Sequence, residues 1–178
     1  HLGDLSIDVQ TVISNHADAA EICSMYDKKF VHLPVSDLPD ARAEQEHQIA
    51  SLLDAHRFDL VILARYMLVL PASVVVPWFT RMINIHHSFL PSFVGANPYR
   101  QAHDRGVKII GATAHYVSEV LDEGPIIAQD VTPVSHRDDV QDLTRRGRNL
   151  EINVLANAVR AHVEHRILMF GNRTIVFR

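Results

Sequence analysis

Along residues 6–106, segments with apolar residues at every second position alternate with segments of helical period. That alternation sets the fold class: strands separated by helices pair in parallel and the helices cover the sheet. Ser6–Ser14 (SIDVQTVIS) is rich in β-branched residues and reads as the first strand. Asn15-His16 ends it, Asp18–Tyr26 reads as a short helix, and Phe30–Val35 as a second strand. Asp40 can cap a helix over Ala41–His56, with Ile49, Leu52 and Leu53 on its inner face. Leu60–Leu63 is a compact apolar strand, and Pro71–Phe79 a helix that begins on a proline. Met82–His86 (MINIH) is a further strand, followed by a loop broken by Pro91, Gly95 and Pro98. Asn97 can cap a helix with Pro98 in its first position, ending near Gly106.

Beyond Gly106 the pattern changes. Val107–Ser118 reads as a long strand interrupted at Gly111, Glu119–Gly124 as an acidic turn and Ile126–Val134 as the return strand, which together make an antiparallel arm. A helix capped by Asp138 or Asp139 runs to His165, with Leu143, Leu150, Val154 and Ala158 on its apolar stripe. Two short strands, Ile167–Phe170 and Thr174–Phe177, flank Gly171-Asn172. The expected class is α/β: a mostly parallel mixed sheet with helices on both faces and an antiparallel edge. At 178 residues, one domain is the economical organisation.

Charge and composition exclude several functions. With 17 basic and 21 acidic residues the net charge is −4, which argues against a nucleic-acid partner. The apolar stretch Leu60–Phe79 is broken by Arg65, Pro71 and Pro77, so it reads as a pair of buried elements rather than a membrane span. Cys23 is the single cysteine, so no disulfide forms within the chain, and a reducing cytoplasm is expected. It falls on an amphipathic helix and reads as core. Histidines number 12, yet metal spacing is lacking: there is no H-E-x-x-H and no cysteine cluster, and His162 and His165 sit at a helix end. His86 and His87, adjacent on a strand, should face opposite sides and share no ion. No Gly-rich nucleotide loop and no G-x-S-x-G is present. Arg145-Arg146-Gly147-Arg148 reads as a solvated helix face, or as a seat for a polyanionic tail.

The densest polar segment is Asn84-Ile85-His86-His87-Ser88. Asn84 and His86 are two apart and project together, at the carboxyl end of a strand where open α/β sheets bind ligands. From pattern alone, a satisfied structural histidine beside an incidental asparagine accounts for the segment equally well. Asp122, in the acidic turn, is explained by turn chemistry unless that turn folds over the end of the His86 strand.

Asn84-Ile85-His86-His87-Ser88-Phe89-Leu90-Pro91 resembles the Asn-x-His and Ser-x-Leu-Pro motif of the folate-dependent formyltransferase superfamily. Gly111-Ala112-Thr113-Ala114-His115-Tyr116-Val117 and Leu121-Asp122-Glu123-Gly124-Pro125-Ile126-Ile127 continue the likeness in register, as the His strand and the Asp loop. The resemblance implies a Rossmann-like formyltransferase fold. The doubled His86-His87, the segment Gly95–Tyr99 and the ending Gly171-Asn172-Arg173-Thr174 are similar to the branch that hydrolyses 10-formyltetrahydrofolate to tetrahydrofolate and formate. The alternative within the superfamily is formyl transfer to an amine such as glycinamide ribonucleotide.

On this resemblance Asn84, His86 and Asp122 are the catalytic residues and His115 their support. Asn84 would donate to the oxyanion, His86 would act as electrophile or proton shuttle, and Asp122 would orient water and His86. Met67, Leu68, Leu70, Val75, Glu119, Leu121, Glu123 and Gly124 would hold the folate, which is a substrate and not a prosthetic group. Glu151 matches a position that contacts the amine substrate in the transformylases. The resemblance further implies a homo-oligomer and no metal. It also implies that the first strand and helix of the fold, and an N-terminal ACT-type regulatory domain, are missing from this chain.

Overall fold

A computed structural model of the chain describes residues 5–35, 41–91 and 97–178, which group into two units. Asp40, the expected helix cap, and Gly95, an expected breaker, lie outside the described residues.

The unit of residues 6–58 holds β1 (Thr11–Ser14), a 3-10 turn (Ala17–Ala19), α1 (Ala20–Met25), β2 (Lys29–His32) and α2 (Ala41–Ala55). β1 and β2 pair in parallel, from Thr11↔Lys29 to Ser14↔His32, as a helical crossover requires. Both strands are shorter than their alternation predicts. A strand extends only as far as its partner, and Pro34, which lacks an N–H, stands just past β2. On α2, Leu53 is buried with Ile49 and Leu52 half-buried, as expected. Gln45 is buried beside them because its Nε2 donates to the Leu33 carbonyl at 2.7 Å. Cys23 is buried on α1.

The unit from Asp59 to Arg178 carries β3 (Val61–Ala64), α3 (Ala72–Val75) running into a 3-10 turn (Val76–Trp78), and β4 (Met82–His86). After them come α4 (Pro98–Arg105), β5 (Ile109–Tyr116), β6 (Ile126–Pro133) and α5 (Val140–Val163), then β7 (Ile167–Phe170) and β8 (Arg173–Val176). The main sheet has the order β3-β4-β5-β6; β3–β4 is parallel, and β4–β5 and β5–β6 are antiparallel. β7 and β8 form a separate antiparallel hairpin.

α5 is long because its start is well capped. Asp139 accepts from the Asp142 backbone N–H at 2.8 Å, while the Asp142 carboxylate reaches back to the Asp139 N–H. Its residues Leu150, Val154 and Ala158, four apart, pack on Ile83, Ile85 and Ala114 of the sheet. Ile83 and Ile85 therefore enter the core, and Asn84 and His86 stand on the other face of β4.

Two local expectations are corrected. β5 runs through Gly111 without a break; a Cβ there would lie 2.7 Å from the Phe89 Cβ, so the glycine admits the chain leaving β4. The ladder irregularity falls instead at Ala114/His115. Asn97 stands at the start of α4 with a left-handed backbone (φ 59°) and makes no side-chain cap bond; Asn tolerates that conformation better than other non-glycine residues. Among the described residues, no helix is long and apolar enough to cross a membrane.

Candidate active site

β4 and β5 are antiparallel with Asn84 opposite His115 and His86 opposite Thr113. Cross-strand pairs share a face, so the register alone places Asn84, His86 and His115 together. The Asn84 amide Nδ2 lies 3.2 Å from His115 Nε2. His115 Nδ1 lies 2.9 Å from the Tyr116 carbonyl, which can only accept. His115 is therefore the Nδ1–H tautomer, and its Nε2 takes the proton of Asn84. This fixes the asparagine with its NH2 toward His115. Burial holds the His115 pKa below its ordinary value, which keeps the ring neutral.

Thr113 secures the chain as it leaves His86. Its hydroxyl donates to the Ser88 carbonyl at 2.9 Å and accepts from the Leu90 N–H at 3.1 Å and from Gln129 Nε2 at 2.9 Å. Both Thr113 and Ser88 are buried.

The acidic turn between β5 and β6 folds back over the strand ends. Gly124 makes this possible: a Cβ there would lie 1.7 Å from the Tyr116 carbonyl oxygen. The Tyr116 N–H donates to the Pro125 carbonyl at 2.9 Å and seals the turn on β5. Asp122 adopts a left-handed backbone (φ 57°), which aspartate tolerates. Its carboxylate then meets both histidines, with Oδ2 3.2 Å from His86 Nδ1 and Oδ1 3.6 Å from His115 Nε2. Turn chemistry and site chemistry thus coincide at this residue.

Above the cluster lies a cavity of about 330 Å³. Asn84, His86, His115 and Asp122 form its polar floor, with Arg65–Leu70 on one wall and Val117–Leu121 on the other. Of the residues expected to hold a ligand, Met67, Leu68, Leu70, Val75, Glu119 and Leu121 line it. Met67 and Leu121 leave 62% and 55% of their surface exposed, so the walls present apolar surface to the cavity. Glu123 and Gly124 lie outside the lining; Gly124 is pressed on β5, and the Glu123 carbonyl accepts from Asn172 Nδ2 at 3.3 Å.

His86 and His87 do not face opposite ways. Their rings stack at 5.0 Å with 14° between planes, and both line the cavity. The expectation fails because β4 ends at His86, so the two-residue alternation does not reach His87. Among the described residues, no group of three or more His, Cys, Asp or Glu is arranged to hold a metal ion.

A second polar cluster adjoins the first. Tyr99 donates to Glu151 Oε1 at 2.5 Å, and its ring lies 6.4 Å from that of His87. A Cβ on Gly147 would sit 2.1 Å from the Tyr99 hydroxyl, so α5 leaves a notch for this ring. Arg65 Nε stands 3.8 Å from Glu151 Oε2, and Arg65 lines the cavity. In the sequence Arg65 stands out only as an interruption of an apolar run. The spacing Gly147…Glu151, one helical turn, was the available signal.

The formyl transferase family model matches residues 1–159. The chain is 53% identical to a formyltetrahydrofolate deformylase of Synechocystis over 98% of its length and 61% of that protein's. A deformylase crystal structure from Pseudomonas syringae superposes with a TM-score of 0.94 at 48% identity, covering all of this chain and 59% of that one. A glycinamide ribonucleotide transformylase from Symbiobacterium toebii superposes at 0.90 with 35% identity, covering 99% of this chain and 84% of that one. The chain thus spans about three fifths of the length of the curated relatives it matches.

Proposed function

The chain belongs to the formyl transferase family, and from that membership we propose that it hydrolyses 10-formyltetrahydrofolate to tetrahydrofolate and formate. The observation that carries the reading is the Asp122 carboxylate closing on His86 and His115 at the floor of the cavity. Its resemblance to deformylases at 45–53% identity supports the choice of water as acceptor.

Water attacks the formyl carbon and an oxyanion develops. One N–H of Asn84 is held by His115, so its second N–H donates to that oxygen. One such donor is typically worth about 3 kcal/mol in the transition state. Asp122 engages Nδ1 of His86, which assigns Nε2 of His86 to the formyl group. The carboxylate orients the water and takes its proton; the C–N10 bond breaks as N10 is protonated, with His86 as the shuttle. The apolar walls formed by Met67, Leu68, Leu70 and Val75 hold the pterin, and the turn with Glu119 and Leu121 bonds its edge. His115 acts through Asn84 and Asp122. The folate is a substrate, not a prosthetic group, and the reading places the enzyme in the cytoplasm.

A second reading, formyl transfer to an amine, is favoured by the 84% coverage of the Symbiobacterium transformylase. Incubation with 10-formyltetrahydrofolate, with and without glycinamide ribonucleotide, separates the two. Formate released without acceptor supports hydrolysis. Formylated amine with little formate would make the chain a transferase.

A further inference from the structure

Asp122 holds Nδ1 of His86 at 3.2 Å. A hydrogen bond at one nitrogen fixes that atom and leaves the plane of the ring to other contacts. A shuttle whose Nε2 must meet the formyl group needs that plane fixed as well, because a small misplacement of a reacting group lowers the rate steeply. One face of the His86 ring is covered by His87, with centroids 5.0 Å apart and 14° between planes.

The backbone brings His87 there. β4 ends at His86, and the chain beyond it is clamped to β5 and β6. The Thr113 hydroxyl donates to the Ser88 carbonyl and accepts from the Leu90 N–H. Gln129 Nε2 donates to that hydroxyl at 2.9 Å and to the Leu90 carbonyl at 3.3 Å. Ser88 and Thr113 are buried, so water does not compete for the clamp. It fixes the backbone from which the His87 ring projects.

The other contacts of His87 are looser. The Tyr99 ring lies 6.4 Å away and is tilted by 48°, and a cavity of about 160 Å³ adjoins His87. The close face contact is therefore the one with His86. Nε2 of His87 is buried and has no hydrogen-bond partner among the described residues, so none of them stands ready to exchange a proton with it there. A buried polar atom without a partner is unfavourable. What the fold gains from His87 is the face of its ring.

We infer that His87 is a positioning residue that holds the ring plane of His86 by stacking on it and transfers no proton itself, an inference that rests on the hydrolytic reading above. Asp122 sets where Nδ1 of His86 lies, and His87 sets how the ring turns about it. Together they aim Nε2 of His86 at the formyl group.

The test is formate release from 10-formyltetrahydrofolate by His87→Ala and His87→Phe. His87→Ala should lower kcat by roughly tenfold, the scale on which one stacked aromatic pair converts to rate, with KM within about twofold. His87→Phe keeps a ring and removes both nitrogens, so it should restore kcat to near the wild-type value. Equal losses of kcat in the two variants would make His87 a proton carrier and overturn the proposal. An unchanged kcat in His87→Ala, or a loss carried by KM, would overturn it as well. In a His86→Ala background, His87→Ala should lower the residual turnover no further; a further loss would show that His87 acts on its own and contradict the proposal. NMR nitrogen shifts of the His86 imidazole decide the point without turnover. One tautomer in the wild type and in His87→Phe, with exchange between two in His87→Ala, supports the stack; one tautomer in all three overturns it. If the wild type releases no formate, the hydrolytic reading fails by itself, and the tautomers alone decide the stack.

Discussion

Asn84, His115 and Asp122 reach His86 from two paired strands and the turn that ends one of them. Arg65, Tyr99 and Glu151 meet on the side of His87 from three elements that share no ladder: the end of β3, the first turn of α4 and the middle of α5. In the first cluster the backbone does the positioning. Sheet register fixes which side chains share a face, and a glycine lets the turn close. In the second, side-chain contacts do it, with a strained backbone at one member and a missing Cβ under another. The first cluster holds donors, a carboxylate and a neutral imidazole around open space, the arrangement that chemistry needs. The second is satisfied internally, the arrangement that closes a wall.

The largest effect should come from the first cluster. Asn84→Ala removes the donor assigned to the oxyanion and should lower turnover by ~10²–10³-fold with the Michaelis constant nearly unchanged. A proportional loss of folate binding would instead make Asn84 a binding residue.

The two glycines test backbone against side-chain positioning. Gly124→Ala sets a Cβ 1.7 Å from a backbone oxygen, which cannot swing aside. It should destabilise by about 3 kcal/mol, the upper end for overpacking, as read from urea midpoints. Gly147→Ala meets the end of a side chain, so Tyr99 can leave its notch. It should cost about 1 kcal/mol, with formate release nearly unchanged. Equal losses of stability would erase the distinction between the clusters.

The smallest effect is a pH dependence from His115. Its folded pKa lies below the ordinary 6.5 because of burial. Below pH 6.5 the unfolded chain takes up a proton that the folded one resists, so stability falls as pH drops from there and is full above it. His162, also lowered by burial, acts in the same direction, so the contribution of His115 is the difference between wild type and His115→Gln. The urea midpoint should fall less in the variant between pH 7.5 and pH 5.5. Parallel profiles would remove His115 as their source.

The contrast between the clusters also explains what was legible in the sequence. Met82–His86 was readable to the residue because Ile83 and Ile85 alternate with Asn84 and His86 up to the start of a Pro-containing loop. Capping chemistry narrowed the start of α5 to Asp138 or Asp139, of which Asp139 is the cap, and Gly106 marked the end of α4. Asn84 and His86 were readable as one face of a strand. That Asp122 joins them was not, because a turn's fold-back depends on the contact of Gly124 with β5, which no periodicity records. The length of β1 was overestimated because alternation describes one strand while pairing needs two. Arg65 and Tyr99 carry no local pattern that points to Glu151; 34 and 52 residues separate the three in turn (99 − 65 and 151 − 99), and packing brings them together.

On the proposed function Asp122 drives chemistry through His86 rather than binding folate. The direct measurement is formate release from 10-formyltetrahydrofolate by Asp122→Asn, alongside tetrahydrofolate affinity in the same variant. Asparagine keeps the shape and the left-handed backbone of the turn. Turnover should fall by ~10²–10⁴-fold, the range for loss of a positioned acid–base group, with affinity within a few fold of wild type. Formate release that survives in Asp122→Asn, or an affinity that falls as far as the rate, would contradict the account.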